Sequence, residues 1–158
     1  MQPLPSVSAI LERLITRGLQ LPPGRVLVGR YGDSPELSAK LLAHIREGRK
    51  RAGASLLWAW EAENESVPGV GDIEVVVDHQ NEPVIVTRIA QVDVLPYGAV
   101  SAEYAAIEGE GDSSLRYWRE AHWAFFSREC TRLGYEPSEN MPVVCCVFEV
   151  LHVSTAAN

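Results

Sequence analysis

The sequence predicts an α+β fold, with a small, mostly antiparallel β-barrel and helices at its rim. Three observations lead there. Runs rich in β-branched and aromatic residues, such as IEVVVD at 73–78 and PVVCCVFEV at 142–150, read as strands. Apolar residues at helical spacing, bounded by capping residues, mark helices in other stretches. The two kinds of pattern do not alternate regularly, which argues against a doubly wound parallel sheet.

In chain order, Val7, Ile10, Leu11, Leu14 and Ile15 give a first helix, which Gly18 can stop. LPPG at 21–24 is a turn or linker, and RVLVGRYG a short strand. Ser34-Pro35-Glu36 is a strong helix start: a serine cap, a proline at the first position and an acid in the first turn. Leu37, Leu41, Leu42 and Ile45 form the apolar face of that helix, and Gly48 ends it. GRKRAGAS reads as a basic loop and SLLWAW as a strand that sets Trp58 and Trp60 on one face. IEVVVD and PVIVTRIAQVDVL are strands joined by a turn within HQNE. A short helix is expected over 101–107 and a longer one over 113–133, capped by Asp112 or Ser113 and closed by Gly134. MPVVCCVFEVLHV is the last strand.

At 158 residues the chain has the length of one domain with a real core. Residues 1–24 are expected to pack on it as a helix and linker, and 154–158 to form a loose tail. No apolar run approaches membrane-spanning length, and MQPLPSVSAILERL has no basic region followed by an apolar block. The cysteines are Cys130, Cys145 and Cys146. An odd number with two adjacent argues for reduced core thiols and a cytoplasmic location, and no Cys/His pair has zinc-ligand spacing. A net charge of −7 opposes broad binding to duplex nucleic acid, which needs a basic face.

Two loops could carry chemistry. Gly48-Arg49-Lys50-Arg51 follows a helix C-terminus, where cations are favoured. It is either a set of solvated helix-end charges or an anion site, with Lys50 as point charge or acid/base group. On either reading Lys50 is a surface lysine, and Lys50→Ala is expected to change stability by no more than about 0.5 kcal/mol, with activity alone separating the two. The second loop, EGEGDSSL at 108–115, places Glu108, Glu110 and Asp112 before a helix. A helix N-terminus favours one nearby anion by roughly 0.3–1 kcal/mol, and three carboxylates exceed that need. Crowded carboxylates raise the pKa of at least one of them, a route to a general base. A solvated acidic turn is the alternative, and a divalent metal a minor option, since no calcium-loop pattern is present. Leu115, Trp118, His122 and Phe125 or Phe126 share helical spacing, so most are core. Trp118 is placed at a pocket edge and His122 is left open between buried and functional roles.

YGDSPELSAKLLAHIREGRK, SLLW, VPGVGD, EGEGDSSLRYWREAHWAFF and MPVVCCVFEV, taken together and in this order, resemble the ASCH domain family over nearly the whole chain. The resemblance implies a PUA-like β-barrel with flanking helices and a cleft suited to RNA or a nucleoside. It implies that Lys50 matches the lysine of the family's Gly-x-Lys motif, and Glu108 the acid entering the late helix. Family members commonly carry threonines after the lysine, where this chain has Arg51 and Gly53. Members include ribonucleases acting on single strands and amidohydrolases that deacetylate acetylcytidine.

The leading expectation is therefore a ribonuclease on single-stranded RNA, with Lys50 and Glu108 catalytic. Arg49, Arg51, Ser55, Glu110, Asp112 and Trp118 are expected to bind substrate; no cofactor and no metal ligand is assigned, with a divalent metal kept as a minor option. An amidohydrolase on an acetylated cytidine nucleoside is the second expectation. It loses its hydroxyl at Gly53 unless Ser55 or water replaces it. A non-catalytic RNA-binding or regulatory module is the third.

Overall fold

The computed structural model describes residues 2–154. Its helices are α1 (Val7–Thr16), α2 (Pro35–Arg46), α3 (Leu57–Ala62), α4 (Ala102–Glu108) and α5 (Leu115–Leu133). Its strands are β1 (Val26–Gly29), β2 (Ala52–Leu56), β3 (Ile73–Val77), β4 (Pro83–Pro96) and β5 (Pro142–Val153), with a 3₁₀ turn at Tyr97–Ala99. The strands follow the order β1-β3-β4-β5-β2. β1 and β3 are parallel, whereas β3–β4 and β2–β5 are antiparallel. The α+β class holds. The sheet, however, is mixed and not closed, so the expected barrel is not confirmed.

The chain divides into two compact units. One contains the described residues up to Gly48, Val70–Ala90 and those from Phe148 onward; the other contains Arg49–Gly69 and Gln91–Val147. In the first unit, Ile10 and Leu14 of α1 bury against Val75 and Val77 of β3, with Val26 and Val28 of β1 beside them. Arg13 of α1 and Arg17, its C-cap, fix the helix to the β3–β4 turn, reaching Glu82 at 3.4 and 2.6 Å. That turn is the one expected within HQNE. Asn81 takes a positive φ of 65°, and Asp78 Oδ1 accepts the amides of Gln80 and Glu82. Ser34 caps α2 by accepting the Leu37 amide at 3.2 Å.

The second unit has a separate core of Leu56, Tyr97, Val100, Ala105, Trp118, Phe126, Cys130, Met141, Val143 and Cys145. Phe126 is fully buried and Phe125 packs against this cluster half-buried, as their helical spacing predicts. Three local expectations are corrected here. The strand expected over SLLWAW lies earlier: β2 is Ala52–Leu56, and Leu57–Ala62 is helical. Leu, Ala and Glu favour helix, whereas Ala52-Gly53-Ala54 has little β propensity of its own and is strand because it pairs with Val147, Cys146 and Cys145. Trp58 and Trp60 thus lie on a helix.

The cap of α5 is Ser114, whose Oγ accepts the Tyr117 amide, and not Asp112 or Ser113. Ser113 stands at φ 66° and Asp112 Oδ1 holds the Ser114 amide, so both shape the approach to the helix. Of the expected tail at 154–158, Ser154 is bonded through its amide to the Val84 carbonyl at 2.9 Å, and the rest lies outside the described residues. Among the described residues, no helix is long and apolar enough to cross a membrane.

Gly109 and Gly134 both end helices in the left-handed region, at φ 68° and 83°. A Cβ at Gly134 would meet nothing within 4 Å, whereas one at Gly109 would collide with the backbone carbonyl of Arg49. Gly134→Ala should therefore cost about 1 kcal/mol from backbone strain alone. Gly109→Ala should cost about 2–3 kcal/mol, because a main-chain segment must also shift. Urea unfolding of the two variants measures the difference. Equal losses would show that the Arg49–Gly109 approach does not constrain the second unit.

Candidate functional site

The chain assembles one polar cluster inside the second unit. Lys50 lies two residues before β2, and the Arg51 amide donates to the Ile107 carbonyl at 3.0 Å, holding that segment against α4. Glu108 is the last residue of α4. Gly109 reverses the chain, Glu110 follows, and α5 then supplies Trp118 and His122 one turn apart.

Lys50 is 0% exposed. Its Nζ lies 3.0 Å from Glu110 Oε1 and 3.5 Å from Glu108 Oε1. Glu108 is equally enclosed. Its Oε2 accepts the indole N–H of Trp118 at 2.5 Å, and its Oε1 faces His122 Nε2 at 2.9 Å. The other ring nitrogen of His122, Nδ1, faces the Trp118 carbonyl at 2.9 Å. Both ring nitrogens therefore face acceptors. A neutral imidazole has only one N–H and would aim a lone pair at an oxygen, so the geometry calls for the doubly protonated ring. The indole of Trp118 stacks on that ring at 4.2 Å and 15°.

The electrostatics agree. Burial alone raises the Glu108 carboxyl, but the charges of Lys50 and His122, with the hydrogen bonds from His122 and Trp118, lower it to about 2. For His122, burial favours the neutral ring; Glu108's charge and hydrogen bond, then Glu110, outweigh it and raise the pKa. Two cations thus meet two carboxylates with no net charge left over, the condition under which charges survive burial. Nearby Tyr104 donates its hydroxyl to the Gly53 carbonyl at 2.7 Å, and burial followed by Glu108's charge pushes its pKa well up. Cys130, Cys145 and Cys146 are buried and form no disulfide. Burial, with Glu108's charge, pushes the Cys145 thiol up to about 12, which leaves it no thiolate character at neutral pH.

The expected site residues separate into groups. Lys50, Glu108, Glu110 and Trp118 come together. Trp118 is 1% exposed, so it does not offer a face to a base as expected; it is a hydrogen-bond donor to Glu108. Lys50 is likewise no surface cation. Arg49 is exposed and donates through Nη2 to the Gly111 carbonyl, at the rim of the cluster. Ser55 lies half-buried on β2, its Oγ accepting the Trp60 indole N–H at 2.9 Å. Arg51 and Asp112 are exposed. Asp112 is bonded to the Ser114 amide, and that hydrogen bonding lowers its pKa.

His122 is the member that sequence reasoning left undecided. Its signal was the four-residue step from Trp118, which puts both side chains over one point of the helix surface. Glu108, Glu110 and His122 bring three ligand atoms within 4.8 Å of one another, a set able to hold a metal ion. The Lys50 ammonium already occupies the cation position between the carboxylates, and His122 Nε2 carries a proton. An ion would have to displace both.

The sequence model of the ASCH domain family matches residues 28–152. Among solved structures, an ASCH domain from Lactobacillus crispatus JV V101 is 32% identical, with a TM-score of 0.76, over 90% of this chain and 92% of that one. A protein from Enterococcus faecalis V583 is 30% identical, also at a TM-score of 0.76, over 93% of this chain and 88% of that one. A hypothetical protein 14% identical, at a TM-score of 0.51 over 82% of this chain and 100% of that one, shares the fold alone. Comparison with curated proteins gives no significant match.

Two outcomes follow from the buried quartet. Lys50→Ala should destabilise the protein by about 3–5 kcal/mol, since it leaves two facing carboxylates without their cation. Urea unfolding that shows a loss within about 0.5 kcal/mol would return Lys50 to the role of a surface charge. The second outcome concerns pH. Glu108's contribution is present above its ordinary value of 4.5 and is lost as pH falls through about 2. His122's contribution is present below its ordinary value of 6.5 and is lost as pH rises through its raised folded value. The stability gap between wild type and His122→Gln should therefore be widest from pH 4.5 to 6.5 and shrink above it. Melting temperatures of both proteins across pH 4–9 test this, and a gap that widens toward alkaline pH would mean that His122 is buried neutral.

Proposed function

The chain belongs to the ASCH domain family, a generally RNA-associated family, and on that premise we propose that it cleaves single-stranded RNA by acid–base catalysis at the Lys50–Glu108–Glu110–His122 quartet. The observation that carries this reading is the order of exposure within the quartet. Lys50 and Glu108 are sealed, with side-chain exposures of 0% and 2%, whereas Glu110 and His122 retain 14% and 8%. The two less enclosed members are a carboxylate and an imidazolium, a base and an acid.

The roles follow from that placement. Glu110 takes the proton of a 2′-hydroxyl, and the 2′-oxygen attacks the adjacent phosphorus. The bond to the 5′-oxygen breaks, and that oxygen takes the His122 Nε2 proton, which leaves its hydrogen bond to Glu108 Oε1 as it is transferred. The products are a 2′,3′-cyclic phosphate and a 5′-hydroxyl. Glu108, held near a pKa of 2 by its donors, is too weak a base for this step. It orients His122 and keeps it charged, as the carboxylate partner of a catalytic histidine does. Lys50 adds positive charge behind Glu110 that opposes the negative charge gathering on the phosphoryl group.

A second reading, deacetylation of an acetylated cytidine nucleoside, draws on the burial of Lys50, which suits a small substrate better than a polymer. It lacks a hydroxyl at Gly53, whose carbonyl is held by Tyr104, and leaves Ser55 or water as nucleophile.

Purified protein given labelled single-stranded RNA and acetylcytidine in parallel separates the readings. Cleavage ending in a 2′,3′-cyclic phosphate is expected, falling about 10²–10⁴-fold in Glu110→Gln and in His122→Asn. Intact RNA with acetate release would replace this reading by the amidohydrolase. Inertness toward both would leave a binding module.

A further inference from the structure

The base platform expected of Trp118 has a neighbour that is placed to provide it. Tyr117 is 36% exposed, whereas Trp118 is 1% exposed, because consecutive helix positions point about 100° apart. Tyr117 stands in the first turn of α5, its amide held by the Ser114 cap at 3.0 Å. Its ring lies against Gly111: a Cβ built there, at φ 58°, would come within 2.5 Å of three ring carbons. The carbonyl of the same Gly111 accepts the guanidinium of Arg49, which is exposed. Gly111 in turn directly follows Glu110, whose carboxylate binds Lys50. One glycine therefore joins an exposed aromatic ring, an exposed guanidinium and the less enclosed carboxylate of the quartet.

We infer that Tyr117 is the stacking platform for an unpaired RNA base and Arg49 the contact for its phosphate, beside the quartet. The inference rests on the RNA reading above and names how that substrate is held. An aromatic face accepts any base, and a guanidinium beside it complements a phosphate. Bases within a duplex are already stacked and paired, so the platform selects single strands. It also fits the charge of the chain. A net −7 leaves little general attraction for nucleic acid, so affinity must come from a local ring and cation. Gly111 is required because a side chain there would push the ring away.

The test is binding of a 2′-O-methyl oligoribonucleotide, which has no 2′-hydroxyl to be cleaved, carrying 2-aminopurine at one position, against the same strand abasic there. Wild type should quench the 2-aminopurine fluorescence and bind the base-containing strand more tightly than the abasic one. Tyr117→Ala should weaken the base-containing strand roughly 5- to 150-fold, the stacking of one base, while leaving abasic affinity unchanged. Tyr117→Trp should retain the preference, and Gly111→Ala should mimic Tyr117→Ala. The inference is overturned if wild type does not distinguish the two strands, or if Tyr117→Ala keeps the wild-type preference. Cleavage of unmodified RNA is followed separately. Tyr117-dependent binding without cleavage removes the catalytic reading and keeps this one. Cleavage with a KM indifferent to Tyr117 does the reverse.

Discussion

The carboxylate of Glu108 is the interaction on which the second unit is arranged. A buried carboxylate is tolerable only when its lone pairs and its charge are answered. Here Lys50 approaches from the segment before β2, Trp118 donates an indole N–H, and His122 sets an imidazolium against the other oxygen. Three separate pieces of chain are thereby drawn to one point. The reversal at Gly109, with the Arg49 carbonyl packed against it, lets α4 end and the loop to α5 begin within that space. The Arg51–Ile107 hydrogen bond is the backbone counterpart of the same convergence.

On the proposed reading, this arrangement joins stability to chemistry. A buried ion network is seldom the most stabilising way to fill a core, since apolar residues of equal volume usually do as well or better. Its retention is easier to understand where the charges act on something. The quartet has a sealed half, Lys50 and Glu108, and a rim, Glu110 and His122. The sealed Glu108 carboxylate holds His122 of the rim as the imidazolium. Trp118 contributes to that half twice, as donor to Glu108 and as the surface on which the His122 ring rests.

Arg51 and Gly53, the positions where the resemblance led to an expectation of threonines, fall beside this centre. Gly53 is part of β2, paired with Cys146, and its carbonyl receives the Tyr104 hydroxyl. The position is thus occupied by backbone contacts, with no side-chain hydroxyl to offer. A shared fold can carry such changes while the chemistry moves to other groups. The proton-transfer pair proposed at the rim, Glu110 and His122, needs neither threonine.

Much of the fold was determined by the sequence alone, because its signals are local. Ser34-Pro35-Glu36 starts α2, Gly134 ends α5, and the valine-rich runs at 73–77 and 142–147 make strands whatever surrounds them. The Lys50–Glu108 pairing was also legible, through the family motifs at both ends. Tertiary structure decided the rest. Ala52–Leu56 became a strand only by pairing with β5, while the tryptophans after it turned helical. Burial was equally a tertiary matter. Lys50, a charged residue in a basic loop, and Trp118, an aromatic beside carboxylates, gave local reasons to expect exposure, yet both lie in the core because Glu108 lies there. The choice between Tyr117 and Trp118 for the outward face depended on the phase of α5, set by its Ser114 cap and by the buried Glu108. The charge of His122 depended on which acceptors its two nitrogens meet, and that is a question of packing geometry that spacing along a chain does not answer.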